Sequence, residues 1–107
     1  MQTIVIVLDP TKLDNPDLDL RYLVPDRVEA VTQGAIADNG YDYLDSTAAP
    51  RLGIWLDTKS ATEGWPQVLK LLREETFLDN DLSQSAELYI STEDAAAFED
   101  CIRVYPE

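Results

Sequence analysis

The sequence predicts an α+β fold, and three observations carry that expectation. TIVIVLD, Thr3 to Asp9, is a β-branched apolar run closed by Pro10, the pattern of a buried strand. RLGIWLDT, Arg51 to Thr58, alternates, with Leu52, Ile54 and Leu56 on one face and Gly53, Trp55 and Asp57 on the other, the period of a strand. Two further stretches place apolar residues at helical spacing.

Taken in order, the first strand is followed by PTKLDNPDLDL, a loop stiffened by Pro16. RYLVPDRVEAVTQGAIADNG then reads as a helix. Pro25 suits its first turn, Asp26 and Glu29 sit near the positive end of its dipole, and Val24, Val28, Val31 and Ala35 share one face. Gly40 is the expected C-terminal cap, while Gly34 in the interior weakens the helix slightly. Tyr41 to Asp45 is a short strand that should pair with Arg51 to Thr58 as a hairpin across Thr47–Pro50. Thr62 caps a second helix through WPQVLKLLREET, with Trp65, Val68, Leu69 and Leu72 as its apolar stripe. FLDNDLSQS is a polar connection and AELYIST, Ala86 to Thr92, a strand. A short helix around Asp94 to Asp100 and a strand over Ile102 to Tyr105 complete the chain. The order β-α-β-β-α-β with a C-terminal element is that of a ferredoxin-like sandwich: a mainly antiparallel sheet with helices on one face. No linker or repeat divides residues 1–107, so one acidic domain is expected.

Charge is the outstanding property. Twenty-one Asp and Glu face eight Lys and Arg, a formal net charge of −13. Such a surface repels phosphate backbones and anionic lipids, so nucleic acid and membranes are poor partners and a basic protein is a good one. Solubility alone is the competing explanation for the acid. The basic residues are scattered singly, however, and cannot neutralise most of the carboxylates. The opening MQTIVIVLDP has no basic segment and only a short apolar run, unlike a signal peptide or a membrane span. A single cysteine, Cys101, allows no internal disulfide, and a reducing, cytoplasmic compartment is expected.

The chain has no histidine, which removes Ser-His-Asp and Cys-His nucleophilic arrangements, the commonest zinc ligand and the usual general base. A calcium loop begun at Asp79 finds Asp81 and Ser83 in place. It then has Gln84 where glycine is needed and Ile90 where the bidentate glutamate belongs. Carboxylate pairs of glycosidase spacing are unavoidable among so many acids, so they select nothing. Cys101 lies between apolar Phe98 and Ile102 beside Glu99 and Asp100, an environment that raises a thiol pKa and suits a structural role. Phosphate-binding glycine motifs are missing. No catalysis, metal or cofactor is expected.

What remains is DNGYDYLDST, Asp38 to Thr47, where tyrosine alternates with aspartate and no base intervenes. Tyr and Trp are the usual anchors of protein interfaces, and carboxylates around them would steer a basic partner. The candidate contact is therefore the hairpin residues Tyr41, Asp42, Tyr43, Asp45, Trp55 and Asp57. Register decides whether Tyr41, Tyr43 and Asp45, or Asp42 and Leu44, share the face of Trp55. The aromatics could instead pack beneath a terminal segment. A second acidic candidate is the loop carrying Asp14, Asp17 and Asp19.

A short, strongly acidic, histidine-free chain with a stretch such as Tyr41-Asp-Tyr-Leu-Asp45 resembles the bacterial immunity proteins of contact-dependent growth inhibition and related polymorphic toxin systems. The resemblance lies in size, charge and this Tyr–Asp character. It implies an antitoxin that binds a cognate toxin domain, often a nuclease with a basic cleft, and occludes it. A generic regulatory module working by sheet-edge pairing, ligand binding or oligomerisation is the alternative.

Overall fold

The computed structural model describes residues Met1–Pro106. In chain order the elements are β1 (Gln2–Leu8), α1 (Leu20–Val31), β2 (Ile36–Tyr43), β3 (Leu52–Thr58), α2 (Ala61–Glu74), β4 (Glu87–Ser91) and β5 (Ile102–Tyr105). Single 3-10 turns lie at Pro10–Lys12, Leu82–Gln84 and Phe98–Asp100. The strands form one five-stranded sheet of order β2-β3-β1-β4-β5, and every pairing in it is antiparallel.

β1 occupies the middle of the sheet, which is why its sequence is apolar on both faces. Ile4, Ile6 and Leu8 join Leu52, Ile54, Leu56 and Leu88 in one cluster with Leu20, Val24 and Val28 of α1 and Val68, Leu69 and Leu72 of α2. The other face of β1 is covered by a different device. The β4–β5 connection crosses it, held by Thr3 Oγ1, which donates to the Glu93 carbonyl at 2.8 Å and accepts from the Ala96 N–H at 3.2 Å. Val5 and Val7 are consequently as buried as the residues facing the helices.

The first helix differs from its sequence expectation at both ends. It begins at Leu20, five residues before Pro25, so Pro25 lies within the helix and not in its first turn. The apolar face is Leu20, Val24 and Val28, at i, i+4 and i+8. The helix stops at Val31 because Gln33 and Gly34 turn left-handed, with φ of 54° and 83°, and the Gly34 N–H donates to the Glu29 carbonyl. Gly34, and not Gly40, is thus the glycine that ends the helix. Val31 and Ala35, expected on its buried face, are exposed. Thr32 completes the exit: its hydroxyl donates to the Val28 carbonyl at 2.8 Å and accepts from the Ile36 N–H at 3.1 Å. The freed residues extend β2, which runs Ile36–Tyr43 in place of Tyr41–Asp45. Gly40, at φ 96°, sits in the irregularity between Asp38 and Tyr41, where a bulge calls for glycine.

α2 is capped by Ser60, whose hydroxyl accepts from the Glu63 N–H, and not by Thr62. The connection after it is less polar than its sequence suggests, since Phe77 and Leu82 are buried. Phe77 and Asn80 exchange both backbone hydrogen bonds across Leu78 and Asp79, which adopt φ of 50° and 68°, a two-residue turn with both central residues left-handed. The expected helix around Asp94 to Asp100 reduces to the single turn at Phe98–Asp100. The rest of that segment serves as the cover over β1. No helix among the described residues is long and apolar enough to cross a membrane.

Candidate protein-binding surface

The register of β2 on β3 decides which hairpin residues lie together. Tyr41 is opposite Ile54 and Tyr43 opposite Leu52, while Asp42 is opposite Gly53. Directly opposed residues share a face, so Tyr41 and Tyr43 point to the helical side and Asp42 to the side of Trp55. The six hairpin candidates therefore divide between two faces.

On the helical side, Tyr41 and Tyr43 project beyond the core at the sheet edge and meet α1. Tyr22 packs edge-on to Tyr41 with ring centroids 6.0 Å apart, and Tyr41 packs edge-on to Tyr43 at 6.3 Å. The Arg21 guanidinium lies 4.8 Å from the Tyr22 centroid and 5.0 Å from that of Tyr41. Each of these tyrosines is 40–48% exposed, too wet for core packing yet held in one geometry by its neighbours. Arg21 forms no ion pair among the described residues, and its Nε has no hydrogen-bond partner. Its charge is spent on the tyrosine faces, a cation–π arrangement. The Tyr22 phenol beside Tyr41 pushes the Tyr41 pKa up against the opposing pull of Arg21, so Tyr41 remains a neutral hydrogen-bonding phenol. Tyr22 and Arg21 were missed by sequence reasoning because nothing local to α1 marks them; only the register of β2 on β3, left open by the sequence, brings them to Tyr41.

The remaining hairpin candidates have partners inside the chain. Trp55 does point away from the helices, but it lies half-buried beneath the β4–β5 connection and its indole N–H donates to the Ala96 carbonyl at 2.8 Å. Its ring extends over Gly53, where an added Cβ would come within 2.6 Å of Cζ3. Trp55 thus fastens the cover to the sheet. Asp45 closes the loop between β2 and β3: its carboxylate accepts from the Arg51 N–H at 3.0 Å, from Arg51 Nε at 2.9 Å and from Nη2 at 3.1 Å. Those side-chain bonds first, then the backbone one, hold its carboxyl below the ordinary value. Asp57 accepts from Asn39 Nδ2 at 3.2 Å. Asp42 is exposed and bonds only to the N–H of Tyr43.

The acidic loop is built more firmly than its sequence suggests. Asn80, 2% exposed, grips it: Oδ1 accepts from the Asn15 N–H at 2.9 Å and Nδ2 donates to the Asn15 carbonyl at 2.7 Å. Asn15 returns a bond to the Leu78 carbonyl at 3.0 Å. Asp14, Asp17 and Asp19 stand exposed around this anchor and enter no ion pair among the described residues. Asp17 Oδ1 accepts from the Asp19 N–H at 2.9 Å.

The loop and the hairpin, read as alternatives from the sequence, adjoin in space. An open cavity of about 430 Å³ lies at the end of β1, and Asp17 and Leu18 of the loop line it together with Tyr43 and Ala49 of the hairpin. Tyr22, Tyr41, Tyr43, the cavity and Asp17 of the loop therefore make one continuous surface.

Among the described residues no three carboxylate or thiol groups converge to hold a metal ion. Asp81, in the calcium-like stretch, uses its carboxylate to accept from the N–H and hydroxyl of Ser83. Burial first, then Asp100, Glu93 and Glu99, push the Cys101 thiol up, away from nucleophilic use. Comparison with family models, with curated proteins and with solved structures finds no match to this chain.

Proposed function

We propose that this chain is a cytoplasmic, non-enzymatic immunity protein that neutralises a basic toxin domain, of the nuclease type, by binding and occluding it through the Tyr22–Tyr41–Tyr43 edge. The observation that carries the reading is this exposed, mutually packed aromatic group bordered by loop carboxylates that have no cationic partner among the described residues. Rigid aromatics lose little side-chain entropy when covered and supply the slow dissociation of a tight complex, while surrounding charge raises the association rate. We further assign the architecture to the ferredoxin-like class, with β5 added outside β4; the sheet order supports that assignment.

The test is capture from the native host with this protein as bait, washed at low and then moderate salt, followed by an activity assay of the captured domain. A basic toxin domain retained through the wash and inhibited by the bait is the expected result. Tyr41→Ala with Tyr43→Ala, and separately Asp17→Lys with Asp19→Lys, should each weaken inhibition by at least about tenfold, the loss of roughly 1.4 kcal/mol, with the fold retained. Asp45→Lys does not serve here, because it would break the Arg51 pair. Absence of a basic partner would remove the reading.

A regulatory module acting by edge pairing is the second reading, favoured by the open outer edges of β2 and β5 and by Ile102, 69% exposed on β5. Self-association at micromolar concentration, with no basic partner captured, would select it.

A further inference from the structure

We infer that the cavity at the end of β1 is an anchor pocket for one large apolar side chain of a protein partner, flanked in that partner by lysine or arginine. This inference rests on the proposed binding role and specifies what that surface recognises.

The cavity lining is mostly apolar, Leu8, Leu13, Leu18 and Leu52 among it, with Tyr43 and one charged residue, Asp17. Its volume of about 430 Å³ falls within the roughly 300–1,000 Å³ of clefts that enclose ligands, and it suits an indole or leucyl group with the adjoining main chain. Leu18 is 58% exposed on this wall, an apolar side chain that a guest would cover. Charge fixes the character of the guest. Asp14, Asp17 and Asp19 are exposed along the loop that forms one side, and none has a cationic partner among the described residues. Arg51 is committed to Asp45 and Arg21 to the tyrosines, and Lys12, the cation of the loop itself, stands beside Asp14 in a neighbouring hollow and does not line the cavity. An acidic guest would meet uncompensated like charge, whereas a basic flank would supply the missing counter-ions. The pocket is also preformed, since Asn80 holds the loop at Asn15, so little ordering would be lost on binding.

The test uses the isotope-labelled full chain and three blocked tripeptides, Arg-Trp-Arg, Arg-Gly-Arg and Glu-Trp-Glu, followed by amide chemical shifts. Arg-Trp-Arg should move the amides of Leu18, Tyr43 and Ala49 and bind about tenfold more tightly than either control, since apolar anchor and charge each contribute. Leu18→Ser, a change at an exposed position that leaves the fold intact, should reduce Arg-Trp-Arg to the level of Arg-Gly-Arg. Equal binding of Arg-Gly-Arg would show that the cavity is unused, and equal binding of Glu-Trp-Glu that charge does not select; either overturns the inference. Concentration-dependent shifts at these amides without peptide would assign the cavity to a second copy of the chain and overturn it too. The peptide result is separable from the toxin result. Inhibition of a captured toxin that survives Leu18→Ser intact removes the pocket and leaves the immunity reading. Peptide binding without any basic toxin does the reverse.

Discussion

Asp45 and Asp42 sit three residues apart in the same Tyr–Asp stretch and have opposite fates. Asp45 takes three hydrogen bonds from Arg51, whereas Asp42 reaches only the N–H of the residue that follows it. The pairing of Asp45 with Arg51 also has a consequence for pH dependence. The folded-state pKa of Asp45 is depressed below its ordinary 3.8. A carboxyl with a depressed folded pKa adds stability that is fully present above the unfolded value and is lost as pH falls through the folded one. Asp45→Asn should therefore lower the urea midpoint at neutral pH, and the gap from the unsubstituted protein should close on acidification below 3.8. Parallel pH profiles for the unsubstituted protein and Asp45→Asn would show that the Arg51 pair is not part of the acid response. At this scale the sequence is a poor guide to which aspartate is free. Both stand beside tyrosine, and the deciding arginine lies across a loop whose closure no local pattern announces.

At the scale of elements, the strands were legible where burial imposes a period. β1 reads as a continuous apolar run because both of its faces are covered, and β3 alternates because its two faces meet different partners. The end of α1 was not legible. Gly34 and Gly40 are both acceptable helix terminators, and Val31 and Ala35 continue the apolar spacing although the fold exposes them. Leu20, Val24 and Val28 were available as the true stripe, but Leu20 is embedded in an aspartate-rich stretch that reads as loop. The candidate site suffered from the same error. With β2 starting at Tyr41 its register stayed open, and with it the choice of which side chains accompany Trp55. The cover over Trp55 is irregular and carries no period at all. The acidic loop shows how an irregular element can still be rigid. Asn80 bonds to both backbone groups of Asn15 from a buried position, and removing it strands the Asn15 N–H, while the carbonyl keeps the bond it accepts from the Asp17 N–H at 2.8 Å. Asn80→Ala should cost about 1–3 kcal/mol, the price of stranded polar groups. It should also speed hydrogen exchange across Asp14–Leu20 more than in β1. Uniform acceleration throughout the sheet would mean that Asn80 supports the core alone and does not hold the loop in place.

For the whole molecule, charge acts in two directions, and salt separates them. The described residues have a radius of gyration of 12.5 Å, and the full chain carries an excess of thirteen negative charges. Screening lengths fall from about 30 Å at 0.01 M ionic strength to about 3 Å at 1 M, from longer than the molecule's radius to much shorter. Self-repulsion among the carboxylates destabilises the compact state more than the expanded chain, because folding brings the same charges closer together. Only three ion pairs among the described residues would be weakened in return, and all are at least partly exposed, where such pairs contribute little. Sodium chloride should therefore raise the melting temperature of the isolated protein. A recovery of about 1 kcal/mol corresponds to a rise of roughly 4–8 °C for a domain near this size. The complex with a basic partner should respond with the opposite sign, its association rate falling as salt screens the attraction. Thermal melts and association kinetics over one salt series measure both. A melting temperature that rises while the association rate falls is the outcome expected of a chain whose acid is held for another molecule. A melting temperature that falls would show that attraction within the chain outweighs repulsion, and an association rate indifferent to salt would leave the carboxylates without a part in recognition.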